Sequence, residues 1–184
     1  MTFGPTFWEV VLLSLQVATV ATVCALPLAV AVAWLLARRL FWGHGVVNGI
    51  VHLPLVLPPG VTGYLLLVVF GRQGLVGGLL YDLFGITLAF RWTGAALAAG
   101  IMAFPLMVRA IRLGFEAADR GIEDAAATLG APPVRVFVTV TLPLVAPGIL
   151  AGSVLGFAKA LGEFGATITF VAAIPGQTQT IPSA

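Results

Sequence analysis

Charge is what this chain has least of. Its 184 residues include only 9 Lys/Arg and 7 Asp/Glu, so 9% of the chain is charged, against roughly 25% in soluble domains. Sixteen charges cannot coat a water-soluble globule of this size. The single lysine, Lys159, sits in Gly156-Phe157-Ala158-Lys159-Ala160, without the glycine-rich loop and following Ser/Thr that ATP hydrolysis requires. The single cysteine, Cys24, excludes an intrachain disulfide and leaves a small apolar packing role. The two histidines, His44 and His52, have no Cys or carboxylate at ligand spacing, so no metal site is expected. Acids are too sparse in the apolar runs to assemble a Ser-His-Asp triad, which excludes catalytic residues of that kind. There is no run of basic residues, so the net charge of +2 implies no nucleic-acid partner.

Apolar residues make up 60% of the chain, and they come in continuous runs. Strands of an outer-membrane barrel would instead alternate at a period of two. The expected class is therefore all-α: a polytopic helical membrane protein whose solvent is lipid. A charge at the bilayer centre costs about 2.5 to 3.5 kcal/mol, so the charges divide the chain. The charge-free gaps run over 10–37, 40–71, 92–108, 136–158 and 164–184. About 20 apolar residues cross a hydrocarbon core. The first, second and fourth gaps suffice alone, and the third suffices if Arg91 and Arg109 or Arg112 snorkel to the interfaces. This predicts four full spans, at about 8–37, 46–70, 92–113 and 142–162, in a single domain covering 1–184. Phe164–Ala173 is too short to cross, and Ile174-Pro175-Gly176-Gln177-Thr178-Gln179-Thr180 then brings turn formers and amides. A partial C-terminal segment, re-entrant or half-crossing, is expected there.

Parity places the loops at 38–45 and 114–141 on one side, with Arg38, Arg39, Arg109, Arg112, Arg120 and Arg135 in or beside them. The other side has Arg72 and Arg91. The bias predicts an external N-terminus and a cytoplasmic third loop. The N-terminal run is not a cleavable signal, because Glu9 stands where a basic region would be and no small-residue cleavage pattern follows promptly.

From Arg109 to Arg135 lie eight of the sixteen charges, four of each sign. Ile122, Ala125, Ala126 and Leu129 fall at i, i+3, i+4 and i+7, one narrow apolar stripe on a helix of about two turns. Asp119, Glu123 and Asp124 put negative charge near its first turn. Gly130 can end it in the left-handed conformation, and Pro132-Pro133 forbids its continuation. So short a helix needs docking to be stable. Taken alone, the residues allow a membrane surface, the chain's own bundle or another protein as the docking partner.

The spacing Asp124-Ala125-Ala126, Gly130, Val140, Leu142-Pro143 resembles the cytoplasmic signature of ABC importer permeases: Glu-Ala-Ala, three residues, Gly, nine residues, Ile, one residue, Leu-Pro. Asp replaces Glu and Val replaces Ile, both conservatively. Leu53-Pro54-Leu55-Val56-Leu57-Pro58-Pro59, the stretch Met102–Arg112, and Leu161-Gly162-Glu163-Phe164-Gly165-Ala166-Thr167-Ile168-Thr169-Phe170 are similar to stretches of the molybdate permeases, with sulfate permeases as near relatives. The resemblance covers nearly the whole chain and implies a type I importer bundle in the bacterial plasma membrane. Such permeases continue past Thr180-Ile181-Pro182-Ser183-Ala184 into a final span, so the expectation is either a fragment of a longer protein or a protein that has lost that helix.

The resemblance implies a coupling role for Glu123, Asp124, Ala125, Ala126, Leu129, Gly130, Val140, Leu142 and Pro143. The partners implied are a separate ATP-binding subunit that holds ATP and Mg, an extracytoplasmic oxyanion-binding protein, and a second copy of the permease. No cofactor is expected on this chain. Gly162, Glu163, Phe164, Gly165 and Thr167 are possible gate or pathway residues, since Gly162-Glu163-Phe164-Gly165 can bend the chain into a polar route. Lys159 and Glu163, at i, i+4, alternatively form only an interfacial ion pair. Thr62, Gly63, Gly100, Gly152, Ser153, Gly156 and Thr169 can likewise line a route or serve close helix packing. Pro54, Pro58, Pro59 and Pro105 are either packing kinks or breaks around a pathway. The spans show no cluster of Arg or Lys, which favours a weakly binding route with selectivity left to the external binding protein. The function implied is import of a tetrahedral oxyanion, most simply molybdate, with sulfate or tungstate as alternatives. A secondary transporter would need its own ion site, against which the scarcity of intramembrane carboxylates argues. A membrane scaffold would have no ATPase partner.

Overall fold

The computed structural model describes residues 5–173, 178 and 180–183, and every regular element among them is helical. Three helices are long and apolar enough to cross a bilayer: α1 (Pro5–Arg38), α5 (Trp92–Ala117) and the continuous rod Pro133–Leu161. The rod comprises α7 (Pro133–Val136), a wide π turn at Phe137–Thr141, and α8 (Leu142–Leu161). The π turn has a local cause. Pro143 has no N–H, and its ring would collide with a carbonyl one α-turn back. The helix widens there, so that the Leu142 N–H donates to Phe137 O.

The expected second span at 46–70 is not one rod. It is α2 (His44–Val56) and α3 (Pro59–Phe70), which meet at 113°. A residue before proline avoids the α region, and here two consecutive residues are so placed. Leu57 takes ψ 140° and Pro58 takes ψ 136°, after which Pro59 starts a new helix at its first turn. With 13 and 12 residues, each half is only about 20 Å long and too short to cross alone. The expected second span therefore exists only as a bent pair. The following loop holds a further short apolar helix, α4 (Leu75–Phe84), ended by Gly85 at φ 66°.

α5 is the centre. In lipid, helices gain little from burying apolar surface against each other, so close approach depends on small side chains. Ala95, Ala96, Ala98, Ala99 and Ala103 of α5 are buried against a cluster that includes Ala18 and Ala21 of α1. Farther along, Ala29, Ala33 and Leu36 of α1 share a second cluster with Met107, Val108, Ile111 and Phe115 of α5. Gly148, Gly152 and Gly156 recur every fourth residue along α8 and form the contact with α5. A Cβ on Gly148 would lie 2.9 Å from Gly114 Cα, and one on Gly152 would lie 2.7 Å from Ile111 Cγ1. The packing alternative thus accounts for Gly152 and Gly156, whereas a Cβ on Gly100 would sit 3.5 Å from Ala21 O, an ordinary contact that does not require glycine.

After α8 the chain turns into α9 (Gly165–Val171), the expected partial segment. It packs on α3, where a Cβ on Gly63 would lie 2.6 Å from Ala166 O and 2.8 Å from Thr169 Cβ. Of the polar stretch at 174–180, only Thr178 and Thr180 are among the described residues.

Gly152→Val should lower the melting temperature of the detergent-solubilised protein, because overpacking at a backbone contact costs about 1 to 3 kcal/mol. Gly49→Ala, where a Cβ meets nothing within 4 Å, should leave it unchanged or raise it slightly.

Candidate functional site

The polar loop folds as the spacing predicted. α6 (Arg120–Thr128) is capped by Asp119, whose carboxylate accepts from Gly121 N at 2.8 Å. Its other end is a paired C-terminal cap. Gly130 N donates to Ala127 O at 3.0 Å and Ala131 N to Ala126 O at 3.4 Å, with Gly130 at φ 84°. A Cβ on Gly130 would meet nothing, so the glycine is needed for its backbone conformation rather than for space.

The apolar stripe faces away from the chain. Leu129 is 88% exposed and Ile122 47%, and no residue of α6 is buried. Asp124 and Ala125 are exposed as well, while Ala126 is half-buried. Glu123 turns the other way. It accepts from Arg38 Nη2 at 2.7 Å, joining α6 to the last turn of α1 across 85 residues of sequence, and both side chains are largely buried. Arg38 Nε has no hydrogen-bond partner among the described residues, and Glu123 is the ion-pair partner of this largely buried guanidinium. Arg120 Nη2 adds a long bond of 3.5 Å to Ala37 O. Sequence reasoning placed Arg38 only as an orientation signal. Its proximity to an acidic helix is invisible until α1 and α6 fold together.

The rest of the signature lies in the π turn and the start of α8. Val140 and Leu142 are half-buried and Pro143 is exposed, with its effect on the helix described above. Trp34 packs edge-on against Phe137 with ring centroids 6.1 Å apart, and Arg39 lies over the same indole at 5.7 Å. The loop is therefore held at both ends by the terminus of α1.

At the opposite end of α8, Glu163 is buried to 3% and does two things at once. Its Oε2 accepts from Lys159 Nζ at 2.8 Å and its Oε1 accepts from Ala166 N at 3.0 Å, which caps the start of α9. Gly162 ends α8, Phe164 is 47% exposed, and Thr167 is buried within α9. Gly165 lies against α3, where a Cβ would come 2.6 Å from Pro59 Cβ. These residues therefore share one joint between the broken second span and the partial last segment. Ser153 and Thr169 donate to carbonyls four residues back, satisfying their hydroxyls within their own helices. Among the described residues no group of three or more His, Cys, Asp or Glu could hold a metal ion.

A family model described as the binding-protein-dependent transport system inner membrane component matches residues 25–184. The chain is 60% identical over 177 residues to the molybdenum transport system permease protein ModB of Escherichia coli (strain K12), covering 96% of this chain and 77% of that protein. The protein of the same description in Haemophilus influenzae is 60% identical over 172 residues, covering 94% and 75%. The probable sulfate transport system permease protein cysT of Chlorella vulgaris is 34% identical over 164 residues, covering 89% and 61%.

Two predictions follow from the polar contacts. Glu123→Gln leaves the buried Arg38 without its carboxylate, a change that costs about 3 kcal/mol or more when a buried pair is broken. Amide hydrogen exchange in α6 should accelerate in this variant while exchange in α5 stays as it was. Glu163→Ala should lower the melting temperature more than Glu163→Gln, because the amide oxygen of Gln can still accept from Ala166 N.

Proposed function

Because this chain belongs to the binding-protein-dependent transport system inner membrane component family, we propose that it is the membrane-spanning subunit of an ATP-driven importer whose cargo is molybdate. It is a permease and not an enzyme. It lacks a phosphate loop of its own, so the nucleotide with its Mg is held by a separate ATP-binding subunit, and an external oxyanion-binding protein delivers the anion. The N-terminus lies outside and the 114–141 loop in the cytoplasm, in keeping with the distribution of arginines.

One observation carries the reading: α6 presents its apolar stripe outward while its acidic side is tied to the bundle through Arg38 and Glu123. An exposed apolar stripe of Ile122, Ala125 and Leu129 on a short capped helix calls for a groove in another protein, and the ion pair transmits displacement of that helix into α1. Asp124, Ala125, Ala126, Leu129 and Gly130 meet the ATP-binding subunit. Val140, Leu142 and Pro143 set the direction in which the loop rejoins α8. Closure of the partner on ATP moves the helix, and with it the spans, between inward- and outward-facing states. Two copies of the permease line the route together. The joint of Gly162, Glu163, Phe164, Gly165 and Thr167 with α3 is the gate. Molybdate is favoured over sulfate as cargo by 60% identity to molybdenum permeases against 34% to a sulfate one.

Leu129→Asp removes the exposed apolar side chain at the C-terminal cap of α6, and Ala126→Arg blocks close approach. ATP-driven molybdate uptake into proteoliposomes should fall at least about tenfold in both, the loss expected when a central docking residue is removed. The amount of inserted protein should be unchanged. Wild-type uptake in both variants would remove the docking role.

A further inference from the structure

The spans contain no run of cations in sequence, yet folding gathers one polar recess. Where α2 lies along α5, Asn48 and His52 of α2 face Arg109, Arg112, Leu113 and Glu116 of α5 around 260 Å³ of open volume. Met107, Ile111 and Gly114 of α5 point to α8, so the recess lies on a different side of α5, away from that contact. It is at the end of α5 that leads into α6, with Arg109 about 12 Å along the helix from its last residue, Ala117.

Its charges do not balance. Arg112 Nε donates to Glu116 Oε1 at 2.7 Å and Arg112 Nη1 donates to Asn48 Oδ1 at 3.4 Å, so this guanidinium is held in place from two sides. Arg109 is exposed and makes no hydrogen bond or ion pair among the described residues. Two guanidiniums and one carboxylate leave one positive charge, and Arg109 carries it. His52 Nδ1 lies 2.8 Å from Asn48 O. A carbonyl only accepts, so Nδ1 bears the hydrogen and Nε2 is left for another partner.

We propose that this recess is a weak binding site for a tetrahedral oxyanion, the last station of the cargo before it leaves on the α6 side. The proposal rests on the import function above. Guanidinium forks match oxyanions in geometry, and Arg112 is pre-set by Glu116 and Asn48 while Arg109 is free to close on the anion. The volume equals roughly nine water molecules, enough for a partly hydrated anion. Glu116 shares the recess and opposes tight binding, which suits a site that must release its load. A lipid phosphate presents the same chemistry as the cargo, so the test must separate the two sources.

The complete transporter, with its ATP-binding subunits, is placed in phosphatidylcholine nanodiscs, and binding of radiolabelled molybdate is measured by equilibrium dialysis without ATP. Wild type should bind one saturable equivalent per permease chain that weakens about tenfold or more in Arg109→Gln, the loss of one charge-assisted contact. Arg109→Lys should recover part of it. Arg109 is exposed and makes no hydrogen bond or ion pair among the described residues, so equal melting temperatures are expected and confirm that the variants fold. Identical binding in wild type and Arg109→Gln overturns the site. If replacing about a third of the lipid with phosphatidylglycerol abolishes molybdate binding to wild type, the recess belongs to lipid headgroups and the cargo assignment is wrong. ATP-driven uptake by the same purified wild-type transporter, reconstituted into sealed proteoliposomes and supplied with its external binding protein, is assayed in parallel. Failure of uptake with the Arg109-dependent equivalent intact refutes the import function and leaves the anion site standing.

Discussion

Every other feature of this bundle depends on how closely α5 can approach its neighbours. Lipid solvates apolar side chains as well as a helix does, so helices in it are held by the fit of small residues and not by escape from water. The alanine face of α5 takes α1, and the glycines spaced by four along α8 take the other side. With α5 fixed between two long helices, the shorter pieces acquire defined positions. α2 lies against the α6 end of α5, and α3 and α9 meet through Gly63, Gly165 and Pro59.

Within that frame, charge is used sparingly and at joints. Arg38 with Glu123 ties the polar loop to α1. Lys159 with Glu163 caps the short helix that packs against the broken span. In both cases a carboxylate with low exposure holds an element too short to persist alone. Separating α6 from the end of α1 requires breaking the contact of Glu123 with the buried Arg38. The π turn before α8 is also held, because the Trp34–Phe137 contact pins the loop's return path.

Much of this was legible in the chain. Charge-free gaps located the three long helices, and the stripe ending at Gly130 located α6 with its cap. Proline arithmetic pointed to trouble near residues 54–59, but the size of the bend follows from Leu57 and Pro58 both preceding a proline, and a span count by length alone reads through it. α4 escaped notice because a ten-residue, mainly apolar stretch between Arg72 and Arg91 that carries Asp82 looks like a loop when only full crossings are sought. Glu123 was read as part of the outward signature, whereas its inward turn depends on Arg38, which is 85 positions away. The recess at Arg109 was missed for the same reason: its members come from α2 and α5, and no linear pattern links Asn48 to Arg112.

The central claim is that α6 is a handle seated in another protein. The most direct test is a photoreactive residue at position 129, introduced into the full transporter in native membranes and activated in place. The account predicts a covalent adduct between this chain and the ATP-binding subunit, with a yield that changes when ATP is added. An adduct to phospholipid alone would contradict it.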